Sequence, residues 1–404
     1  MLQPNLNLPD ASTAYIDTTY RIIEGYSETI EHNPQNVVAY SNRGLTYYNK
    51  GRFYRAIDDF SKVISLTPDD IFGYYCRGVA YRSRGIYDKA IQDFETVINL
   101  TPKKPIGYYN RGATYHRKGE IDKAITDYNR AIELDLGAAD AYVYRGAAYL
   151  DKTELHKALA DYTTAIKLKP DFAEAYTFRG IVYHRKGEMD KAICDHNKTI
   201  ELKPDFAEVY VNRGVVYHQT GDIDKAILDY NRAIELKPEL AEAYHHRGNA
   251  YRDNGELEKA ITDYTHVVEL KPKIAHSYYT RGEAWLRLMK WEEAKMDMTA
   301  AIIQDMNIAD TFHNLHDSVA AFEEKASVKL PQDIVLLLTP QKETLRFDEE
   351  TRLAIAMKYY ENRELSSGLA AKLAGVSRAE FLYLMKDYGL SPYGTAEELR
   401  ESGF

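Results

Sequence analysis

The stretch DFAEAYTFRGIVYHRKGEMDKAICDHNKTIELKP (171–204) decides the fold, because its landmarks return at one spacing through most of the chain. Gly180 is one of eight glycines, at 44, 78, 112, 146, 180, 214, 248 and 282, each 34 residues from the next. A tyrosine stands four residues before each of them, from Tyr40 to Tyr278. Three residues after it come Tyr47, Tyr81, Tyr115, Tyr149, Tyr183, Tyr217 and Tyr251, with Trp285 in the last copy. Twelve after it is always alanine, from Ala56 to Ala294, and six of the eight copies close with proline, as at Pro204 and Pro238.

Counting each copy from the residue at Ala173, the aromatics fall at positions 4 and 11, two turns apart on one face of a first helix. The small glycine and alanine let a second helix approach closely. The proline lacks an N–H, so it stops that helix and sets up the next copy. One such hairpin cannot bury both faces, so copies must stack into a continuous core.

These residues resemble the tetratricopeptide repeat, with residues 37–308 as eight complete copies. The resemblance implies an all-α fold: a right-handed α-solenoid of helix hairpins with a concave groove lined by the first helices. IIEGYSETIEHNP (22–34) aligns with AIDDFSKVISLTP (56–68), so residues 1–36 read as a degenerate half-repeat, a leading cap. ADTFHNLHDSVAAFEEK (309–325) puts Phe312 and Leu315 where a ninth copy would need them, and reads as a capping helix.

Composition bounds the function classes. The 404 residues are 45% hydrophobic and 28% charged, as in a folded soluble protein. A net charge of −9 argues against a general nucleic-acid or acidic-membrane binder. Cys76 and Cys194 lie far apart and outside any metal spacing, and free thiols suit a reducing cytoplasm. The first residues lack the charged-then-apolar order of a signal peptide, and no apolar run approaches membrane-spanning length.

The residue before each glycine is arginine in all eight copies: Arg43, Arg77, Arg111, Arg145, Arg179, Arg213, Arg247 and Arg281. Fifteen after each glycine is aspartate: Asp59, Asp93, Asp127, Asp161, Asp195, Asp229, Asp263 and Asp297. A buried arginine needs a partner, and a bidentate carboxylate is the natural one. The pattern predicts a structural Arg–Asp ladder, within repeats or between neighbours. The functional alternative is a row of arginines offered to a phosphate-bearing ligand.

In the family that the chain resembles, the groove is lined mainly by positions 2, 5, 6, 9, 12 and 13 of the first helix. Position 5 gives Tyr75, Tyr109, His245 and Tyr279; position 12 gives Tyr48, Arg82, His116, His184, His218 and Arg252. Position 13 adds Arg117, Arg185 and Arg287, and position 6 adds Asn42, Asn110, Asn212 and His246. Aromatic residues and arginine anchor partner recognition, and asparagine pairs with an extended backbone. An acidic or extended peptide is therefore the expected ligand class, set against a solvated face with no single ligand. The family's carboxylate clamp is absent at the start of the array, where Ser41 and Leu45 hold its key positions.

Neither a metal site nor a cofactor is expected. His184 and His218 are one repeat apart, and His313 and His316 have no further ligand in the sequence around them. There is no phosphate loop, no GxSxG elbow and no HExxH, so no enzyme is expected.

After Lys325 the period stops, and residues 326–404 read as a second, small domain. ASVKLP (326–331) alternates and reads as a short strand; PQDIVLLL (331–338) and EETRLAIAMKYYENR (349–363) read as helices, the latter capped by Asp348. Counted from Ser367, AAKLAGVSRAEFLYLMKDYGL (370–390) fits a helix-turn-helix: Ala371 at the tight crossing, Gly375 at the turn, and Ala370, Ala374, Val376, Phe381 and Leu384 inward. Ser377, which would cap the second helix, Arg378, Tyr383 and Lys386 would face DNA, with Glu380 and Asp387 opposing it. Eleven Lys/Arg against twelve Asp/Glu over 325–404 is a poor balance for that role.

Residues 326–402 resemble a small uncharacterised prokaryotic family thought to be antitoxin-like: ribbon-helix-helix proteins with an added helix-turn-helix. That resemblance implies pairing of Ser327 to Leu330 across a homodimer and a tail that wraps a toxin partner. Two readings follow. One is a prokaryotic cytoplasmic scaffold that holds a protein or peptide in its groove beside a regulatory module. The other is a DNA-binding regulator or antitoxin whose array receives the signal.

Overall fold

A first helix of each repeat ends where a left-handed residue reverses the chain. In repeat 5 the helix Ala173–Arg185 stops before Gly187 (φ 78°), and the Glu188 amide returns to the Tyr183 carbonyl at 2.9 Å. The second helix, Met189–Leu202, then runs back along the first. Glycine serves this turn at 51, 85, 119, 187, 221 and 255 because it has no Cβ to clash at positive φ. Repeats 4 and 8 place Thr153 (φ 59°) and Met289 (φ 57°) there instead, in a conformation that side chains resist.

The computed structural model describes residues 11–135, 137–304, 306–339, 349–361, 370–371 and 374–388. The chain divides into two compact units, Met1–Leu202 and Lys203–Phe404. In the first, the helix Ala11–His32 packs on Val37–Asn49, and four further hairpins follow, each second helix packing on the next first helix. The leading helix thus begins well before residue 22. It does the work of a second helix: its Ser27 accepts from Arg43 as Ser61 does from Arg77.

Close approach explains the eight glycines. A Cβ on Gly180 would lie 2.6 Å from the His196 ring, and one on Gly214 would lie 2.6 Å from Cε1 of Tyr230. Both rings are buried, so neither can swing aside. The alanines from Ala56 to Ala294 are buried at the same crossings.

The second unit carries three hairpins, from Ala207–Gln219 to Trp291–Ile303, and then departs from the pattern. The expected capping helix is two short helices, Ile308–Leu315 and Val319–Ala326. His316 stands 34 residues after Gly282, where a ninth glycine would be, and its extended backbone (φ −134°) ends the first of them. Ser318 caps the second through the Ala321 amide.

The strand expected at 326–331 is not formed, and no strand occurs among the described residues. Ser327 is left-handed (φ 55°), and Val328 N–H returns to the Glu323 carbonyl, closing the helix end. The Glu323 carboxylate then takes the Leu330 amide at 2.8 Å, and Leu330 itself is buried. Backbone groups that a dimer strand would need are thus spent locally.

Helices Gln332–Leu338, Glu349–Glu361 and Arg378–Leu384 follow. They share a single core with repeat 8, in which Tyr278, Met298, Phe312, Phe322, Ile334, Ala371 and Phe381 are all buried. On the surface beside it Lys295 binds Asp333 at 2.7 Å.

Candidate functional site: the first-helix face

All eight arginines grip the aspartate 16 residues on, through Nε and Nη2, at 2.5–2.9 Å. The carboxylate is in the same repeat, on the second helix. In five of the arginines Nη1 reaches the opposite way, to the residue 16 before it in the preceding repeat. The partners are Ser27, Ser61, Asn129, Asn231 and Thr265 for Arg43, Arg77, Arg145, Arg247 and Arg281. Each of the first seven guanidinium groups also lies 5.5–6.0 Å from the tyrosines three residues before and four after it. Hydrogen bonding to Asp195 holds the Arg179 guanidinium above its ordinary value. Such a cation is spent on the fold, with its fork engaged and two rings against it.

On the first-helix face of the first unit, Tyr48 meets Ser83 at 3.0 Å, and His116 meets Asp151 at 2.7 Å. In the second unit His218 meets Asp253 at 3.1 Å. All three rungs join position 12 of one repeat to position 13 of the next, 35 residues on. Sequence reading found the histidines and missed the acids; the 35-residue spacing was the available signal.

Beneath this face lies a second row of rings at position 24, including Phe94, Tyr128, Tyr162, Tyr230 and Tyr264, all buried. Tyr75 packs on Phe94, Tyr109 on Tyr128 and Tyr144, Phe178 on Tyr162, and His246 on Tyr230. Among the described residues the hydroxyls of Tyr128, Tyr162 and Tyr230 find no hydrogen-bond partner, whereas that of Tyr264 donates to Asn249 at 2.8 Å.

Arg117 and Arg185 are exposed, and Tyr48, Tyr75, Arg82, Tyr109, His116, His184, Asn212, His218, His245 and Arg252 are partly buried on or beside this face. Two expected lining residues are not available to a ligand. Asn110 is 2% exposed, its amide donating to Ile106 and its carbonyl oxygen accepting from Arg82. Tyr279 is fully buried in the core that includes Phe312 and Phe322.

In repeat 8 the run Ser277–Ala284 of the first helix is buried. Glu283 and Arg287, at positions 9 and 13, meet at 2.9 Å, and His316 lies 3.5 Å from the same carboxylate oxygen. Phe322 packs over the Arg287 guanidinium at 5.3 Å. Burial raises the Glu283 carboxyl, but His316, Arg252 and Arg287 outweigh it and hold the group down at about 2. Beside it His245, His246 and His276 cluster, with ring centroids 5.5–5.6 Å apart. Burial, then the neighbouring cations, pushes His245 down to about 4. Among the described residues no group of three or more His, Cys, Asp or Glu could hold a metal ion. Nor is any described helix long and apolar enough to cross a membrane.

In the C-terminal segment, Gly375 is left-handed (φ 78°) and Ser377 caps the helix that follows through the Glu380 amide. Ala370, Ala371, Ala374 and Phe381 are buried, Val376 and Leu384 pack partly buried against the same core, and Met385 is buried with them. Tyr383 is 77% exposed, and Ser377 and Lys386 are also exposed. The Arg378 and Asp387 side chains, Asp348, Ser367 and the tail from 389 lie outside the described residues.

Residues 323–402 match the Uncharacterised protein family (UPF0175). None of the curated proteins matches the chain. Among solved structures it is similar to the APC/C hetero-tetramer Cut9-Hcn1, at 18% identity over 66% of this chain, with a TM-score of 0.53. It spans 54% of that chain, about half its length. It is also similar to MamA, at 32% identity over 41% of this chain and 96% of that one, TM-score 0.37. YrrB, described as a TPR protein with an unusual peptide-binding site, is 22% identical over 46% of this chain and 96% of that one, TM-score 0.35. The TPR repeat model matches residues 80–119, 148–187, 180–221 and 216–255, and the Tetratricopeptide repeat model matches 37–70, 105–135 and 241–274. The chain belongs to the tetratricopeptide repeat proteins.

Proposed function

We propose that this protein is an interaction scaffold whose first-helix face binds an extended peptide or protein segment, with a C-terminal regulatory module. Tetratricopeptide repeats support protein–protein interaction in general. The observation that carries the finer reading is the division of labour among polar residues. The Arg–Asp pairs turn inward, while tyrosines, histidines and arginines of positions 5, 12 and 13 collect over a buried aromatic floor. Aromatic anchors ringed by polar groups are what a peptide interface uses. No residue in this arrangement is required to do bond-making chemistry.

The test is selection from a randomised ten-residue peptide library on the full chain. Enriched peptides are expected to lose binding to a Tyr75→Ala, Tyr109→Ala variant and to keep it with Lys62→Ala, on a second helix. No enrichment, or binding indifferent to the tyrosines, would overturn the reading.

A second reading is favoured by one observation: a left-handed glycine at 375, a serine cap on the helix that follows and buried alanines stand where a helix-turn-helix would need them. Under it the protein is a DNA-binding regulator or antitoxin. The full chain should then retard duplex DNA in a salt-dependent way, and Lys386→Glu should abolish the shift. No retardation at low salt would sink it. The full chain is needed because the module shares its core with repeat 8.

A further inference from the structure

Position 12 carries arginine in repeats 2 and 7, in opposite company. Arg252 donates to Asp253 at 3.0 Å and has Glu283 nearby. Among the described residues Arg82 makes no ion pair; its Nη1 donates to Asn110, at 3.1 Å to the side-chain oxygen and 3.3 Å to the carbonyl. The strongest charge effect on it comes from another cation, Arg117 of repeat 3, two turns beyond Asn110 on the same face of the helix Pro105–Lys118.

Acids of the surrounding repeats are already engaged. Asp93 belongs to Arg77, Asp127 to Arg111 and Asp151 to His116. Asp140, which is exposed, acts on Tyr109 rather than on either arginine. Burial and then Arg117 lower Arg82 below its ordinary value, the reverse of what the first seven ladder arginines show. Under the guanidinium lies the Phe94 ring at 5.6 Å, with the phenols of Tyr48, Tyr75 and Tyr109 around it. Behind it the Tyr128 hydroxyl, within electrostatic reach of both arginines, is buried with no hydrogen-bond partner among the described residues.

A partly buried cation with a second cation beside it costs stability unless something anionic arrives. We propose that Arg82 and Arg117 form a subsite for the carboxylate of an aspartate or glutamate side chain in an extended peptide. Two guanidinium forks match a carboxylate, and the flanking tyrosines offer the flat contact that a peptide chain takes. A polyanion such as nucleic acid would meet a chain carrying a net charge of −9. The inference rests on the peptide-binding reading and adds the chemistry and place of its specificity.

Three fluorescein-labelled ten-residue probes separate the outcomes on the full chain by anisotropy. They alternate alanine with glutamate, with glutamine, or with phosphoserine. The glutamate probe should bind at least about tenfold tighter than the glutamine probe, a difference of about 1.4 kcal/mol. Arg82→Gln and Arg117→Gln should each remove most of that preference and leave the glutamine probe within about twofold. Arg117 is exposed, so its variant keeps the test clear of folding defects. Equal binding of the glutamate and glutamine probes would overturn the subsite while leaving the peptide reading intact. Binding of the phosphoserine probe alone would overturn the carboxylate assignment. Binding by none of the three would overturn both.

Discussion

Glu283 and His316 lie 3.5 Å apart, one at a groove position of the last repeat and the other at the register of the missing ninth glycine. The contact lies where the chain after repeat 8 packs on that repeat, with Phe312 and Phe322 in one core with Tyr278 and Tyr279. The carboxylate is buried, ion-paired and held at about 2, against an ordinary 4.5. Its stabilisation is therefore present above pH 4.5 and lost as pH falls from 4.5 towards 2. Glu283→Gln should flatten the thermal-unfolding midpoint of the last repeat across that window, read by exchange of amides in 308–326.

His245 sets a second, higher window. Its folded value of about 4 lies below the ordinary 6.5, so the unfolded chain binds the extra proton. Stability is lost as pH falls from 6.5 to 4, with His246, His276, Arg252 and Glu242 facing the ring. A His245→Gln variant should show a shallower loss of melting temperature between pH 6.5 and 4. An unchanged slope would count against a neutral, crowded ring.

Arg179→Ala leaves the Asp195 carboxylate, 4% exposed, without its fork. The expected loss is about 3 kcal/mol by denaturant unfolding, the low end for a broken buried pair because Arg179 keeps some solvent. A variant that is as stable as the parent yet fails to bind a selected peptide would return the arginines to a ligand role.

Thr153→Gly relieves a β-branched residue at φ 59°. The gain should be about 0.5–1 kcal/mol, whereas Gly214→Ala, whose Cβ meets Tyr230 at 2.6 Å, should cost about 1–3 kcal/mol. Urea unfolding of the two variants gives both signs in one experiment.

Most of the fold is legible in the 34-residue spacing, because period, small residues and aromatics are local constraints. Arginine and aspartate could be paired from recurrence alone, although the second partner, 16 residues earlier, varies among Ser, Asn and Thr and so hides. What failed depended on chain far away. Tyr279 looks like any position-5 aromatic until Phe312 and Phe322 join its core. Alternation in ASVKLP mimics a strand, yet Glu323 claims its backbone. Asp151 and Asp253 look like solvated acids until the 35-residue rung to His116 and His218 is drawn.

Hydrogen–deuterium exchange of the full chain with and without a selected acidic peptide tests the central claim most directly. The account predicts slowed exchange in the first helices Ile71–Ser83 and Pro105–Lys118, with Tyr87–Leu100 and Ile121–Leu134 little changed. Protection confined to the second helices, or to the segment after 326, would contradict it.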